Sequence, residues 1–141
     1  MKRTLLLAGL ALMLTALAAG VAYAYEITGT DGPDRVIGTM QGDIVYAEGG
    51  CDYVEARGSG DQLHGGRGAD ELRSMGGEDE IHGDKGCDRL FGNDLPDTIY
   101  ADDFDEDYVN CGAGKDAAYI DGYDTVVNCE YVDGKPFDRP E

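Results

Sequence analysis

The sequence predicts an all-β solenoid, in which short parallel strands stack along one axis. Three observations support this fold class. A nine-residue unit is repeated eight times between Gly29 and Tyr100. Every unit carries an Asp with an aliphatic residue two positions later, and a short Gly-rich run precedes the Asp. A fixed period of this kind is typical of repeat proteins, because each unit buries its apolar residue only by stacking on its neighbours.

The first segment of the chain is typical of a secretory signal peptide. Lys2 and Arg3 form a positive start, residues 5–17 form an apolar run, and Ala22-Tyr23-Ala24 is a small-residue cleavage motif. We expect cleavage after Ala24, so that residues 1–24 direct a secreted, extracellular protein. The alternative is an uncleaved membrane anchor, although the apolar run is shorter than the roughly 20 residues that a membrane span needs.

Two positions of the nine-residue repeat, which we call columns, hold the same type of residue in every unit of residues 29–100. The first contains only Asp: Asp34, Asp43, Asp52, Asp61, Asp70, Asp79, Asp88 and Asp97. The second, two positions later, contains only aliphatic residues: Val36, Val45, Val54, Leu63, Leu72, Ile81, Leu90 and Ile99. Eight units in register are a far more specific signal than one isolated motif.

The two columns predict the geometry of one coil. Residues around each aliphatic position form a short strand with the aliphatic side chain inside, and the Gly-rich half allows a tight turn. Two units close one coil of about 18 residues, and coils stack at about 4.8 Å. Each Asp therefore stacks on the Asp 18 residues away, so that alternate members of the column lie on opposite edges of the roll.

The complete pattern Gly-Gly-x-Gly-x-Asp-x-aliphatic-x occurs once, over residues 65–73. It resembles the hemolysin-type (RTX, repeats-in-toxin) calcium-binding nonapeptide. The resemblance implies a right-handed parallel β-roll, a β-solenoid in which Asp side chains and turn carbonyls of adjacent coils hold Ca²⁺. RTX repeats are often attached to a lipase, protease or toxin domain, which this sequence does not show.

Stacked carboxylates also create an electrostatic need for a cation. Two carboxylates about 5 Å apart repel by roughly 1 kcal/mol in water and by about 3 kcal/mol at an effective dielectric near 20. Ca²⁺ accepts carboxylate and carbonyl oxygens in irregular geometry. We therefore predict that the eight Asp column residues are ligands of several Ca²⁺ ions. The alternative for any one Asp is a solvated turn residue.

The two edges differ in their turns. On the first edge the residue two before Asp is always Gly, at Gly32, Gly50, Gly68 and Gly86. On the second edge the same position holds Gln41, Ser59, Gly77 and Leu95. We expect the better-formed calcium sites on the first edge.

Four side chains share the last position of the repeat on the second edge: Tyr46, His64, His82 and Tyr100. Stacking of the coils predicts that they form a ladder. The two histidines could hold a transition metal, or the ladder could be a solvent-facing stack. No Cys or further His joins the pair to complete a typical site.

After Tyr100 the spacing departs from nine residues. We interpret residues 101–132 as imperfect repeats and a C-terminal cap. Asp107 and Asp116 are weaker candidate ligands there. Cys111 and Cys129 are 18 residues apart, one coil, which places their Cα atoms about 5 Å apart and predicts a disulfide that staples the end of the roll. Residues 25–132 are thus the predicted calcium-binding roll, and residues 133–141 a tail.

The other two cysteines are 36 residues apart at one repeat position. Two coils separate Cys51 from Cys87 by roughly 10 Å, beyond a relaxed disulfide. They are free, paired between molecules, or paired through a distorted coil.

The charge of the chain limits its partners. It contains 29 acidic and 11 Lys and Arg residues, a net charge of −18. Cleavage would remove Lys2, Arg3 and no acidic residue, leaving −20. This balance excludes nucleic acid and, after cleavage, an anionic membrane surface as partners. A disordered acidic chain has a similar composition, but the fixed period favours a fold, and cations would stabilise it.

We therefore expect a secreted, non-catalytic protein that folds or stiffens on extracellular Ca²⁺. The first alternative is an adhesive or matrix protein that presents the roll surface to a polysaccharide or another protein. The second is a Ca²⁺-dependent polysaccharide-cleaving enzyme, which would use paired carboxylates.

Overall fold

The computed structural model describes residues 25–136, so the predicted signal peptide lies outside the described residues. In this part of the chain, fourteen strands form two sheets that face each other. The first sheet contains β1 (Tyr25–Thr28), β3 (Asp43–Tyr46), β5 (Gln62–Arg67), β7 (Glu80–Lys85), β9 (Thr98–Ala101), β11 (Ala117–Ile120), β13 (Tyr131–Val132) and β14 (Lys135–Pro136). The second contains β2 (Arg35–Ile37), β4 (Tyr53–Gly58), β6 (Glu71–Gly76), β8 (Arg89–Asp94), β10 (Tyr108–Ala113) and β12 (Thr125–Val127).

From β1 to β13 the strands alternate between the two sheets, and each pairs in parallel with the strand two places along the chain. Val54 lies beside Leu72, and Leu63 beside Ile81, which is a register of 18 residues. The predicted all-β solenoid with two nine-residue units per coil is therefore confirmed. The described part of the chain contains no helix, and so none that could cross a membrane.

Three positions of each unit point inward. The aliphatic column is completely buried from Val45 onward, as predicted. The Asp column also points inward, and a third column lies four positions after each Asp, where the side chains are small and buried: Ala47, Ala56, Ser74, Ala101 and Cys111. Small side chains there let the two sheets approach closely, because strand packing leaves room for only one large residue per unit.

The turns of the first edge require glycine at one position. Gly50, Gly68 and Gly86 have φ between 131° and 133° and stack directly on one another. A Cβ on Gly68 would coincide with the carbonyl oxygen of Gly50. On the second edge, Ser59 and Leu95 adopt positive φ values of 83° and 75°, a conformation that costs free energy in a residue with a side chain.

The C-terminal end of the roll is closed by a disulfide and a hairpin. Cys111 and Cys129 are bonded, with their Cα atoms 5.0 Å apart, which confirms the predicted staple. Lys135–Pro136, within the predicted tail, pairs antiparallel with Tyr131–Val132. Cys51 and Cys87 are both free and exposed.

Candidate metal centre

The predicted ligands all lie at the turns between the two sheets. Seven of the eight are buried, and only Asp34, in the first coil, is half-buried. The chain places them there because each follows a Gly-rich turn and precedes a strand. The structure thus brings the Asp residues into the two predicted stacks, one along each edge.

One oxygen of each carboxylate has a structural partner. The backbone N–H of each Asp donates to Oδ1 of the Asp in the next coil, at 2.7 to 3.0 Å from Asp34–Asp52 to Asp79–Asp97. These bonds fix each side chain toward the interior and join neighbouring coils beyond the sheet hydrogen bonds.

The two ladders continue past the eight predicted residues. Asp88 N–H donates to Asp107 at 2.7 Å, and Asp97 N–H donates to Asp116 at 2.9 Å. Both residues are buried, so the weaker candidates have the same environment as the regular ones. The ladders end at Asp124 and Glu130, which sequence reasoning missed because their spacing from the preceding member is irregular.

The other oxygen has no hydrogen-bond partner within residues 25–136 in most turns. Oδ2 is buried and unpaired in Asp52, Asp61, Asp70, Asp79, Asp88, Asp97, Asp107 and Asp116. In Asp70, for instance, Oδ2 lies 2.8 Å from the position that a Cβ added to Gly65 would occupy. An unpaired buried carboxylate oxygen is costly unless a cation or a proton satisfies it.

The first coil differs, because threonines satisfy its acceptors. Thr30 N–H donates to Asp34 Oδ2, and Thr39 N–H donates to Asp43 Oδ2, both at 2.6 Å. These two turns therefore have less need of a cation than the later ones.

Burial raises the pKa of the column carboxyls, because it penalises their charged form. The pKa of Asp70 rises to about 6, that of Asp61 to about 7 and that of Asp88 to about 8. Backbone N–H groups of the preceding Asp lower these values in part, while neighbouring carboxylates raise them further. Without a cation, burial therefore moves the protonation of Asp61, Asp70 and Asp88 toward neutral pH.

Backbone carbonyls supply the remaining oxygen atoms near the turns. The carbonyl oxygens of Glu48, Gly50 and Gly68 face Gly66, Gly68 and Gly86 of the following coil so closely that a side chain could not be inserted. Within residues 25–136, no three His, Cys, Asp or Glu side chains gather as a metal site. A cation in these turns would therefore need carbonyls as well as carboxylates, and this oxygen donor set fits Ca²⁺.

The predicted ladder is present on the outer face of the first sheet. Its rings stack nearly parallel, with centroids 4.9 Å apart for Tyr46–His64, 4.6 Å for His64–His82 and 4.5 Å for His82–Tyr100. Tyr119 adds a fifth ring.

The histidines of this ladder contact carboxylates. His82 Nε2 lies 2.7 Å from Glu80, and His64 Nδ1 lies 3.5 Å from Asp84. Burial and the neighbouring His82 lower the pKa of His64. Because a metal binds in the plane of an imidazole ring, two rings stacked face to face do not direct their nitrogens toward one point.

A parallel β-solenoid with buried carboxylates in successive turns is the architecture that the calcium-binding β-roll resemblance implies. Comparison with known families identifies the repeats: the model of the RTX calcium-binding nonapeptide repeat (4 copies) matches residues 28–63 and residues 55–90. The chain therefore contains RTX calcium-binding repeats, and the resemblance in its sequence is confirmed. No curated protein and no solved structure matches the chain.

Proposed function

We propose that this chain is a secreted, non-catalytic protein that binds several Ca²⁺ ions in the turns of its β-roll and folds or stiffens as it does so. The observation that carries the proposal is the row of eight buried Oδ2 atoms without a hydrogen-bond partner. Bound Ca²⁺ supplies the positive charge that these oxygens lack.

The residues proposed to hold the ions are the eight predicted Asp residues together with Asp107 and Asp116. From Asp52 to Asp116 the Oδ1 atoms already join the coils, so a cation at Oδ2 would stabilise an arrangement that the backbone has set. From Asp52 onward we expect tighter binding than in the first coil, where Thr30 and Thr39 donate to Oδ2.

The position of the carboxylates also supports a non-catalytic role. A polysaccharide-cleaving pair must contact the sugar, whereas the column Asp residues from Asp43 to Asp116 are at most 4% exposed. Turnover of an acidic polysaccharide by the purified protein would contradict this part of the proposal.

Secretion is supported by the pattern of residues 1–24 and by the Cys111–Cys129 disulfide, since such bonds persist in oxidising compartments. N-terminal sequencing of protein recovered from the culture medium should begin at Tyr25. A retained leader would contradict the predicted cleavage.

The decisive experiment is a Ca²⁺ titration followed by calorimetry and circular dichroism on one sample. We expect β-sheet signal to increase with a midpoint of about 10⁻⁴ to 10⁻³ M, the usual range of extracellular modules. Mg²⁺ at the same concentrations is the control and should act weakly, because it demands near-octahedral geometry. Absence of both heat and spectral change at millimolar Ca²⁺ would overturn the proposal.

A second candidate function is presentation of the roll surface to a polysaccharide or another protein. The observation that favours it is an arginine on each of four successive strands of the second sheet: Arg35, Arg57, Arg73 and Arg89. We call this surface the arginine face. Arg35 lies over Tyr53 and Arg73 over Phe91, each 4.4 Å from the ring centroid.

The arginine face is a better candidate than the aromatic ladder of the first sheet. Rings of the ladder cover one another's faces, so those faces cannot stack on a sugar. The Arg57 and Arg89 side chains are 44% and 59% exposed, so an anionic group can reach them. It would compete with Glu55, which lies 3.9 Å from Arg57, and with Glu71, which accepts from Arg89 at 3.1 Å.

A glycan array tests this candidate. Binding of acidic glycans should be lost on replacing Arg57, Arg73 and Arg89 by Gln, and kept when Tyr46 and Tyr100 are replaced by Ala. Replacement of Lys115 by Gln, outside the arginine face, is the control. If the unaltered protein bound no glycan, this candidate would be rejected and only the calcium-binding function would remain.

A further inference from the structure

Cys51 and Cys87 are a matched pair on the surface of the roll. Both are free and exposed. Each directly precedes a buried Asp of the same edge, Asp52 and Asp88, and so has the same orientation relative to its coil. Their positions are therefore related by a translation of two coils along the roll.

The four cysteines differ in oxidation state. Cys111 and Cys129 form a disulfide, and both residues are at most 5% exposed. A compartment in which that disulfide forms will also oxidise exposed thiols. Cys51 and Cys87 should consequently acquire partners.

They cannot pair with each other while the coils remain stacked. One coil separates the Cα atoms of Cys111 and Cys129 by 5.0 Å. Two coils therefore separate Cys51 from Cys87 by roughly 10 Å, whereas a relaxed disulfide spans at most about 6.8 Å between Cα atoms. Ala69, in the coil between them, offers no sulfur.

We propose that Cys51 and Cys87 join two copies of this chain through two disulfides, edge to edge. Because the spacing between the two thiols is the same in both copies, a twofold axis can close both bonds at once. Antiparallel rolls would pair Cys51 with Cys87 of the second copy, and parallel rolls would pair each cysteine with its counterpart.

The shape of this edge permits the approach. The column that contains the two thiols also contains Pro33 and Ala69, and all four residues are exposed. Gly50 and Gly86 precede the cysteines. This part of the column has no long side chain, and two edges come within disulfide distance once the exposed Arg67 and Lys85, two residues before Ala69 and Cys87, turn aside. The net charge of −18 opposes association, so the bonds should form most readily at moderate salt with Ca²⁺ present.

The bond chemistry requires a low-molecular-weight disulfide as oxidant. A Cys51 thiolate, having lost its proton to water, attacks this disulfide and releases one small thiolate. The facing thiolate of the second copy attacks the Cys51 sulfur of the mixed disulfide and releases the other. Two protein thiols lose two electrons, and one small disulfide becomes two thiols. The second bond repeats this exchange within the joined pair.

The test is oxidation of the folded, full-length mature protein in a glutathione redox buffer containing millimolar Ca²⁺. Non-reducing mass spectrometry should show twice the chain mass, no free thiol, and Cys111–Cys129 intact. Cys51→Ser and Cys87→Ser should dimerise much less at the same protein concentration, because the second bond of the natural pair forms intramolecularly. The double variant should remain a monomer with an unchanged circular dichroism spectrum.

Three results would overturn the proposal: a monomer whose thiols are free or capped by glutathione, an internal Cys51–Cys87 bond, or open-ended oligomers. Peptide mapping of the isolated dimer identifies which twofold arrangement forms, and either arrangement supports the proposed dimer.

Ala69→Cys tests the geometric premise separately. The introduced thiol lies one coil from each natural thiol, the separation at which Cys111 and Cys129 bond. We expect an internal bond and a marked fall in dimer. Undiminished dimer without an internal bond would contradict the two-coil argument. Neither experiment depends on whether Ca²⁺ drives folding, which circular dichroism measures independently.

Discussion

At the scale of single residues, each column Asp uses its two carboxylate oxygens differently. In Asp70, Oδ1 accepts the backbone N–H of Asp52 at 2.8 Å, and Oδ2 is buried without a partner. The first oxygen stabilises the stack of coils with or without a cation. The second favours the stack only when a cation or a proton is beside it.

Asp70→Asn separates these two contributions. The amide oxygen can still accept from Asp52, but the charged Oδ2 is lost, so we expect the Ca²⁺ midpoint to rise by about tenfold. Without Ca²⁺ the variant should be at least as stable as the natural protein, because a buried unpaired charge has been removed. Calorimetry and thermal unfolding measure the two effects.

The matched control is Asp31→Asn, which removes the same charge from an exposed residue outside the column. It should leave both quantities nearly unchanged. Equal effects from the two variants would mean that only net charge matters.

Gly68→Ala tests the stacking of the turns. Gly68 has φ 132°, and an added Cβ would coincide with the Gly50 carbonyl oxygen, so we expect a loss of more than about 2 kcal/mol in the free energy of unfolding. Gly32→Ala, at the same repeat position, meets nothing nearer than 3.9 Å and should cost far less. Denaturant unfolding with Ca²⁺ present compares them, and equal losses would contradict direct stacking.

At the scale of elements, the strands are short and depend on their neighbours. The longest strands have six residues, and most of their contacts are with the strands one coil away. The terminal coils have a neighbour on one side only. The disulfide and the β13–β14 hairpin compensate for this at the C-terminal end.

Removal of the staple should destabilise that end. Cys111→Ser with Cys129→Ser opens a loop of about 18 residues, for which chain entropy predicts a loss of about 3 kcal/mol. We expect hydrogen exchange to accelerate first in β10, β11 and β12. Cys51→Ser with Cys87→Ser is the control and should leave the exchange of these strands unchanged in the monomer. Uniform acceleration along the whole roll would show that the staple is not local.

Much of the roll could be predicted from the sequence because its period repeats the same contacts. The register of Val54 on Leu72 follows directly from the 18-residue spacing, and so does the Cys111–Cys129 bond. The small-residue column was not predicted, although Ala47 and Ala56 lie four positions after an Asp, because Gly, Ala and Ser are also common in turns.

The C-terminal coils were harder to predict than the regular ones. Tyr119 joins the aromatic ladder 19 residues after Tyr100, because the turn at residues 102–107 absorbs one extra residue without breaking the register. A strict period cannot show whether an insertion ends a repeat or lengthens its turn. The advantage of the first edge in calcium binding stays a prediction. Positive φ at Ser59 and Leu95 is consistent with it.

At the scale of the whole molecule, two columns of buried carboxylates make folding depend on protons and cations. In the calcium-free roll, Asp61, Asp97 and Asp107 have pKa values raised to about 7 by burial, against an ordinary value of 3.8. A carboxyl with a raised pKa binds its proton more tightly in the folded than in the unfolded state. Folding therefore takes up protons in this pH range.

The calcium-free protein should accordingly become more stable as the pH falls from about 8 toward about 4. The stabilisation is complete below the ordinary pKa of 3.8 and is lost as the pH rises through the raised values of about 6 to about 8. Thermal unfolding in chelator, measured across this range, checks the direction. Asp88→Asn, which removes the carboxyl with a pKa of about 8, should flatten the upper part of the curve, while Asp31→Asn should not.

Ca²⁺ should reverse this dependence, because it competes with protons for the same oxygens. We expect Ca²⁺ affinity to fall as the pH is lowered through about 7, so that the added stability from millimolar Ca²⁺ is large at about pH 8 and small at about pH 5. Paired calorimetric titrations at the two pH values measure this change in Ca²⁺ affinity. If the calcium-free protein were equally stable at both, or if affinity rose on acidification, the buried Oδ2 atoms could not be where protons and Ca²⁺ exchange.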